Sequence, residues 1–199
     1  GTGTVKWYVD ASFAVHPNMR SHTGGAVTLG RGCPIVTSTK QKLNMRSSTE
    51  SELVGVDDLM PSILWTRQFL KAQGYDVNEN ILYQDNKSSI LLEKNGRASS
   101  SKRTRHIAIR YFFVTDRIAK GELSIEWCPT AEMIADFMTK PLQGATFRKF
   151  RDIIMGIKDI ESGNDASNKK PSKAAGNDKS NDIQATKSRN IGKTSLARY

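Results

Sequence analysis

Two acidic residues end predicted strands, a third lies in the first turn of a predicted helix, and a fourth lies on the penultimate predicted helix. They are Asp10, Glu52, Asp85 and Asp136. Ligands of open α/β sheets collect at such positions. Two unit charges about 4 Å apart repel by about 4 kcal/mol at an effective dielectric of about 20, so a cluster of these acids requires a cation. Mg²⁺ suits a few carboxylates plus phosphate oxygens, and two such ions form the usual arrangement for phosphodiester cleavage.

Each acid also has a purely structural explanation. Asp10 can simply end a strand, and Glu52 can be the glutamate of a helix capping box. Asp85 can cap the helix that follows it, and Asp136 can be a solvated helix residue. From the residues alone, a metal-dependent nuclease is therefore one interpretation beside an ordinary folded domain.

The predicted elements that position these acids follow the order βββαβα(α)βα. Alternating apolar residues between turn formers predict strands at 5–13, 24–29, 34–39, 81–85 and 123–128. Helical spacing predicts one helix that begins at Thr49 and others at 87–93, 104–120, 130–138 and 146–157. The order predicts an α/β fold with a five-stranded mixed sheet, its first three strands antiparallel and helices on its faces.

The first long helix carries two local signals. Thr49-Glu50-Ser51-Glu52 matches a capping box, in which Thr49 accepts a hydrogen bond from the amide of Glu52 and the Glu52 side chain reaches back. Pro61 is predicted to kink or split the helix, because proline lacks an N–H and clashes with the preceding turn.

Composition restricts the class of protein and its partner. The 199 residues carry a net charge of +10, so an anionic partner is expected, with nucleic acid ahead of an anionic membrane. No apolar run approaches the roughly 20 residues of a membrane helix and no leader precedes the first strand, so a transmembrane or conventionally secreted protein is not expected. Cys33 and Cys128 show no zinc or disulfide pattern. A start at Gly1, directly before a strand, is typical of a piece of a longer chain.

Composition changes near Gly156. Residues 157–199 are rich in Asn, Ser, Lys, Gly and Ala and hold few apolar side chains. Such a segment cannot bury enough apolar surface to offset the entropy of ordering, so it is predicted to be a disordered basic tail. Nucleic-acid binding or nuclear targeting is the alternative for this tail. Residues 1–156 are predicted to form one domain.

The segment from 97 to 120 is strongly basic. Its single acid is Asp116, and its seven basic residues are Arg97, Lys102, Arg103, Arg105, Arg110, Arg117 and Lys120. A solvated helix normally mixes the two signs of charge, so this density predicts contact with phosphates.

Five motifs in this order resemble the ribonuclease H domain that closes the Pol polyprotein of copia-type LTR retrotransposons. They are YVDAS, SSTESEL, YQDNKSSI, KRTRHIAIRYFFV and ADFMTKPL, and the resemblance spans about residues 5–156. It implies a ribonuclease H-like fold and an endonuclease that hydrolyses the RNA strand of RNA–DNA hybrids. It also implies a reverse transcriptase domain on the N-terminal side in the full polyprotein. We expect a monomeric isolated domain that works in cytoplasmic virus-like particles, with nuclear access as an option.

The resemblance implies catalytic and metal-binding roles for Asp10, Glu52, Asp85 and Asp136. Glu52 is preferred as the second acid because Leu, Val and Gly follow it, and Glu50 is the alternative. The four acids would bind two Mg²⁺ ions, for which Mn²⁺ could substitute. Asp10 would bridge both ions, Glu52 and Asp85 would bind one, and Asp136 would bind the other.

The resemblance also implies a surface for the hybrid, with contacts to backbone and sugar rather than to bases. The predicted residues are Lys102, Arg103, Arg105, His106 and Arg110, with Asn86 and Ser88 near the third acid.

One departure concerns the loop at 129–132, which lacks the histidine that many cellular ribonucleases H carry there. Glu132 is the candidate substitute. Two other functions stay open at this point. A catalytically silent nucleic-acid-binding remnant is the main alternative. An integrase on the same fold is disfavoured by the acid spacings and by the TKPL ending.

Overall fold

Five strands form one mixed sheet in the computed structural model, which describes residues 3–96 and 108–160. They are β1 (Thr4–Ser12), β2 (His22–Thr28), β3 (Ile35–Lys40), β4 (Glu79–Gln84) and β5 (Ser124–Trp127). The spatial order is β3-β2-β1-β4-β5. Strands β1, β2 and β3 pair antiparallel, whereas β4 runs parallel to β1 and β5 runs parallel to β4. The predicted mixed sheet with three antiparallel strands first is confirmed.

The central strand β1 is buried on both faces, which explains its nearly continuous apolar sequence. Val5, Trp7 and Val9 point into the larger core cluster, whereas Tyr8 belongs to a smaller cluster on the other side. Burial of a large apolar side chain contributes about 1.5–3 kcal/mol, so the alternation fixes the register of this strand strongly.

Helices cover the two faces unequally. They are α1 (Ser48–Ala72), α2 (Lys87–Asn95), α3 (Ala108–Ala119), α4 (Asp136–Thr139) and α5 (Gly144–Ile154). Helices α1, α2 and α3 pack against one another, and their apolar side chains fill the larger core cluster. Helix α5 and the residues just before α4 fill the smaller one. Among the helices of the described residues, none combines the length and apolar character that crossing a membrane requires.

The beginning of α1 differs from the prediction. The helix begins at Ser48, and its N-cap is Ser47, whose side chain accepts a hydrogen bond from the amide of Glu50 at 3.2 Å. Glu50 in turn accepts a bond from the backbone N–H of Arg46 at 2.8 Å. The predicted capping box of Thr49 and Glu52 is therefore wrong, because Ser47 and Glu50 cap this helix. Of the kink or split predicted at Pro61, the split is wrong, since α1 continues through Pro61 as one element.

The segment after β5 differs as well. In place of the helix predicted at 130–138, a 3₁₀ turn (Thr130–Glu132) precedes α4, which begins only at Asp136. The intervening Met133, Ile134 and Ala135 are almost completely buried. Three consecutive buried residues do not fit the single apolar stripe of a surface helix, so burial overrides the helical spacing here.

The domain is predicted to end at Gly156, but the residues that follow Gly156 still contact it. An Arg31 N–H donates to the carbonyl oxygen of Ile157 at 3.4 Å, and Arg31 lies 3.5 Å from the carboxylate of Asp159. Ile160 packs against the smaller core cluster. The predicted tail from residue 161 onward lies outside the described residues.

Candidate metal centre

Three acids meet where the carboxyl ends of the parallel strands β1 and β4 lie side by side. Asp10 lies in the last part of β1, and Asp85 directly follows β4. Glu52 projects from α1, which packs on β1. One carboxylate oxygen from each of Asp10, Glu52 and Asp85 lies within 4.8 Å of the others. The parallel pairing of β1 with β4 brings two residues 75 positions apart in sequence to one edge of the sheet.

Asp136 joins this group through a lysine. The Nζ atom of Lys140 lies 2.7 Å from Oδ1 of Asp136 and 3.4 Å from Oδ1 of Asp10. Asp136 begins α4, and Lys140 directly follows its last residue, one helical turn away. The structure therefore brings three of the predicted acids into direct proximity and places the fourth beside them, across an ammonium group.

Burial and mutual repulsion dominate the electrostatics of these acids. Glu52 is only 5% exposed. Burial, followed by the negative charges of Asp10 and Asp85, raises its pKa to about 9, against a weaker opposing hydrogen bond from the backbone of Ala11. Burial likewise raises the pKa of Asp136 to about 6, although its hydrogen bond from Lys140 counteracts the shift. Without further positive charge, the site cannot hold all its carboxylates ionised at neutral pH.

The donor set fits a hard divalent cation. Oε2 of Glu52 is buried and has no hydrogen-bond partner among the described residues. A buried polar atom without a partner costs about 1–3 kcal/mol. Carboxylate oxygens are the protein ligands that Mg²⁺ and Mn²⁺ prefer, and a cation at this point would satisfy Glu52 and offset the repulsion together.

Two threonines orient the acids, and sequence reasoning missed both. Oγ1 of Thr139 donates a hydrogen bond to Oδ2 of Asp10. Oγ1 of Thr130 donates to Oδ2 of Asp85 at 2.9 Å. Thr139 and Lys140 follow Asp136 by three and four residues, a helical spacing that could have indicated their proximity to the site. Thr130 has no comparable local signal, since it meets Asp85 only through the pairing of β4 with β5.

Gly24 lets α4 approach the sheet. It pairs with Asp10 across β1 and β2. A Cβ atom at this position would lie 2.8 Å from the carbonyl oxygen of Ala135 and 2.9 Å from Cβ of Met138. The close approach positions Asp136 beside Asp10. A glycine inside a strand is a recognised sign of such an approach, so the sequence held this signal.

The two candidates for the second acid have different surroundings. Glu52 faces Asp10 and Asp85, whereas Glu50 accepts a hydrogen bond from Arg46 at the helix start. Glu132 is exposed in the 3₁₀ turn before α4.

The predicted nucleic-acid contacts have varied surroundings. Asn86 is the N-cap of α2, where its Oδ1 atom accepts bonds from the amides of Ser88 and Ser89 at 3.0 and 3.1 Å. Ser88 is exposed beside it. Lys102, Arg103, Arg105 and His106 lie outside the described residues.

Arg110 has acidic partners within the domain. Its Nη1 atom forms ion pairs with Asp57 and Asp58 of α1 and so connects α3 to α1. Two other basic residues of the segment 97–120 are paired too: Arg117 with Asp116 and Glu122, and Lys120 with Asp116. Because of these ion pairs, α3 presents less unpaired positive charge than its sequence alone indicates.

Several curated proteins are similar to this chain over most of its length. The Pol polyprotein from transposon RE1 of Arabidopsis thaliana is 32% identical over 145 residues, which is 72% of this chain. That from transposon RE2 of the same plant is 31% identical over 153 residues, or 76% of the chain. That from transposon TNT 1-94 of Nicotiana tabacum is 29% identical over 151 residues, or 75%. The chain spans about a tenth of the length of each, namely 10%, 10% and 11%.

A solved structure shares the fold. The structure of LC11-RNase H1, isolated from compost by a metagenomic approach, superposes with a TM-score of 0.51. The match covers 69% of this chain and 93% of that one, at 12% sequence identity. No protein-family model matches the sequence. The structural likeness identifies the sheet and its flanking helices as a ribonuclease H-like fold.

Proposed function

We propose that this chain, which belongs to the copia-type retrotransposon Pol polyproteins as their ribonuclease H domain, hydrolyses the RNA strand of RNA–DNA hybrids with divalent metal ions. The observation that carries the proposal is the meeting of Asp10, Glu52 and Asp85 at the carboxyl ends of two parallel strands. The buried, unpartnered oxygen of Glu52 supports a cation as the missing partner.

Four carboxylates would hold the ions, of which we propose two. Asp10, Glu52 and Asp85 would bind one, and Asp10 with Asp136 would bind the other. Bound there, Mg²⁺ or Mn²⁺ supplies Lewis acidity that lowers the pKa of an attacking water and stabilises the leaving oxygen of the phosphodiester.

The chain's own hydroxyl groups would hold the ligands in place. Thr139 restrains Asp10, and Thr130 restrains Asp85, by the hydrogen bonds already described. Each bond engages one oxygen of its acid, and the second oxygen of Asp10 is contacted by Lys140. Such orientation of ligands by neighbouring groups normally matters almost as much as the ligands themselves.

The hybrid would be bound mainly through its phosphates and sugars. We propose that Lys102, Arg103, Arg105 and His106 contact the backbone, since the sequence there is densely basic. Asn86 and Ser88 stand directly after Asp85 at the start of α2, within reach of a strand bound at the acids. Arg110 is assigned to the packing of α3 on α1 because of its ion pairs.

The similarity to Pol polyproteins suggests a biological setting for this domain. We propose that a reverse transcriptase domain precedes this one in the whole polyprotein and helps to hold the hybrid. The domain itself would be a monomer. Its work would take place in cytoplasmic particles, with nuclear access as an option.

The test is cleavage of a labelled RNA–DNA hybrid by the full chain with Mg²⁺ or Mn²⁺. We expect cuts in the RNA strand only, and none in single-stranded RNA or in duplex DNA. Asp10→Asn should abolish the cleavage. Asp116→Asn is the matched control, because this acid lies on the exposed side of α3 and should leave cleavage intact.

A different result would favour the silent remnant. Hybrid binding that weakens steeply with salt, but without cleavage under either metal, would contradict a self-sufficient enzyme. Addition of the polymerase part of a relative's polyprotein then distinguishes a dependent domain, which would recover cleavage, from a silent one.

A further inference from the structure

Lys140 occupies a position within the candidate metal centre that neither the fold nor the proposed mechanism explains. Its ammonium group is 2.7 Å from Asp136 and 3.4 Å from Asp10, and it contacts the Oδ1 atom of each. The two carboxylates are only 6% and 4% exposed, whereas the lysine side chain is 38% exposed. A flexible cation therefore reaches from the protein surface to two buried acids.

The lysine supplies positive charge where the proposed function requires a divalent ion. Asp10 and Asp136 are the two acids that would share the second ion, and Lys140 holds an oxygen of each. The other oxygen of Asp10 is held by Thr139. An ammonium group and a divalent ion repel each other, and both would bind to the same pair of carboxylates. The two cations therefore compete.

We propose that Lys140 is a positioning residue that acts as a built-in counter-ion, holding Asp10 and Asp136 together without metal and yielding its place when a divalent ion binds between them. This inference rests on the proposed metal-dependent function and adds a regulatory element to it. The exposed stem gives the lysine a route out, since its four-carbon chain can turn into solvent without moving α4. The lysine would thus set the concentration of Mg²⁺ at which the second ion binds.

The test compares three variants of the full chain with the wild type. Lys140→Met keeps an unbranched side chain of nearly the same length and removes its charge, while Lys140→Arg keeps the charge. Lys120→Met is the matched control, because Lys120 also pairs with an aspartate four residues away, Asp116, but at the exposed C-terminal end of α3. Thermal unfolding in chelator and calorimetric titration with Mg²⁺ are measured for each.

We expect opposite effects on stability and on metal affinity. Without metal, Lys140→Met should unfold at a lower temperature, because two buried carboxylates lose their counter-ion. Its half-saturating Mg²⁺ concentration should fall about tenfold, which corresponds to about 1.4 kcal/mol. Lys140→Arg should restore values near those of the wild type, and Lys120→Met should change neither quantity appreciably. A merely structural lysine would lower stability without tightening the binding of Mg²⁺.

The outcomes separate this inference from the proposed function. Equal or weaker Mg²⁺ binding by Lys140→Met, with normal binding by the wild type, overturns the counter-ion role alone. A wild type that binds no divalent ion overturns both. If Lys140→Met fails to fold, nitrogen NMR of the lysine side chains in the wild type decides. The Lys140 signal should shift as Mg²⁺ saturates the site, and an unchanged signal overturns the inference.

Discussion

The fold opposes the ionisation of Glu52, and this has a consequence for stability. Its pKa is raised from 4.5 to about 9 by burial and by its acidic neighbours. Between these values the folded chain binds more protons than the unfolded chain does. The free energy of unfolding of the metal-free protein should therefore fall as the pH rises from about 5 to about 9, by up to about 1.4 kcal/mol per pH unit from this group.

Urea denaturation in chelator across this pH range measures the slope. Glu52→Gln should flatten it, because the amide does not titrate. A smaller slope should persist, since the buried Glu93 has its pKa raised to about 7, mainly by burial. Mg²⁺ should also flatten the slope by favouring the ionised form of Glu52. Identical slopes for the wild type and Glu52→Gln would contradict the prediction.

Glu50 and Glu52 differ by two positions and should give opposite phenotypes. Glu50→Gln weakens the hydrogen bond to the amide of Arg46, so it should lower the free energy of unfolding by about 0.5–2 kcal/mol, the usual contribution of a helix cap, and leave cleavage intact. Glu52→Gln should abolish metal-dependent cleavage and stabilise the metal-free protein above neutral pH. Parallel assays of unfolding and hybrid cleavage check both. Loss of cleavage in Glu50→Gln with cleavage retained in Glu52→Gln would reverse the assignment.

At the scale of the element, sequence patterns predict a strand or helix correctly where residues close in sequence determine it. The alternation around Trp7 predicts β1 well because the strand is sorted between two core clusters. The capping box fails by two residues, since Ser47 and Thr49 both precede a glutamate by three positions and only the tertiary fold decides between them. The helix predicted at 130–138 fails because burial beneath the sheet, which the sequence does not state, overrides the helical spacing.

The approach of α4 to the sheet gives a test at this scale. Gly24→Ala places a Cβ atom 2.8 Å from the carbonyl oxygen of Ala135, so α4 must move. We expect a loss of about 1–3 kcal/mol in the free energy of unfolding and a marked drop in cleavage rate, because Asp136 moves with the helix. Gly55→Ala is the matched control, since its Cβ would meet Thr23 and Val9 at ordinary distances of 3.4 and 3.5 Å.

The two variants are compared by chemical denaturation and by the kinetics of hybrid cleavage. Gly55→Ala should be neutral or mildly stabilising, because alanine favours a helix over glycine. Wild-type cleavage by Gly24→Ala would show that the position of α4 is not critical for the chemistry.

For the whole molecule, the net charge of +10 predicts an anionic partner but not where that partner binds. Ion pairs between residues far apart in sequence neutralise some of the basic side chains. Arg110 of α3, for example, pairs with Asp57 of α1. The candidate metal centre is likewise only partly predictable from the sequence. The sequence motifs predict the acids, while the contacts of Thr130 and Lys140 arise only when the sheet is assembled.

The salt dependence of hybrid binding tests which basic residues contact phosphates. Each phosphate contact contributes about one unit to the slope of log K against log salt. Replacement of Lys102, Arg103 and Arg105 together by alanine should therefore reduce the slope by about three units and weaken binding to every sequence alike. Arg110→Ala should leave the slope unchanged and lower the unfolding temperature, because its partners Asp57 and Asp58 lose their counter-ion. Fluorescence anisotropy at several salt concentrations measures both. A smaller slope for the single variant Arg110→Ala would contradict this assignment and show that Arg110 contacts the hybrid.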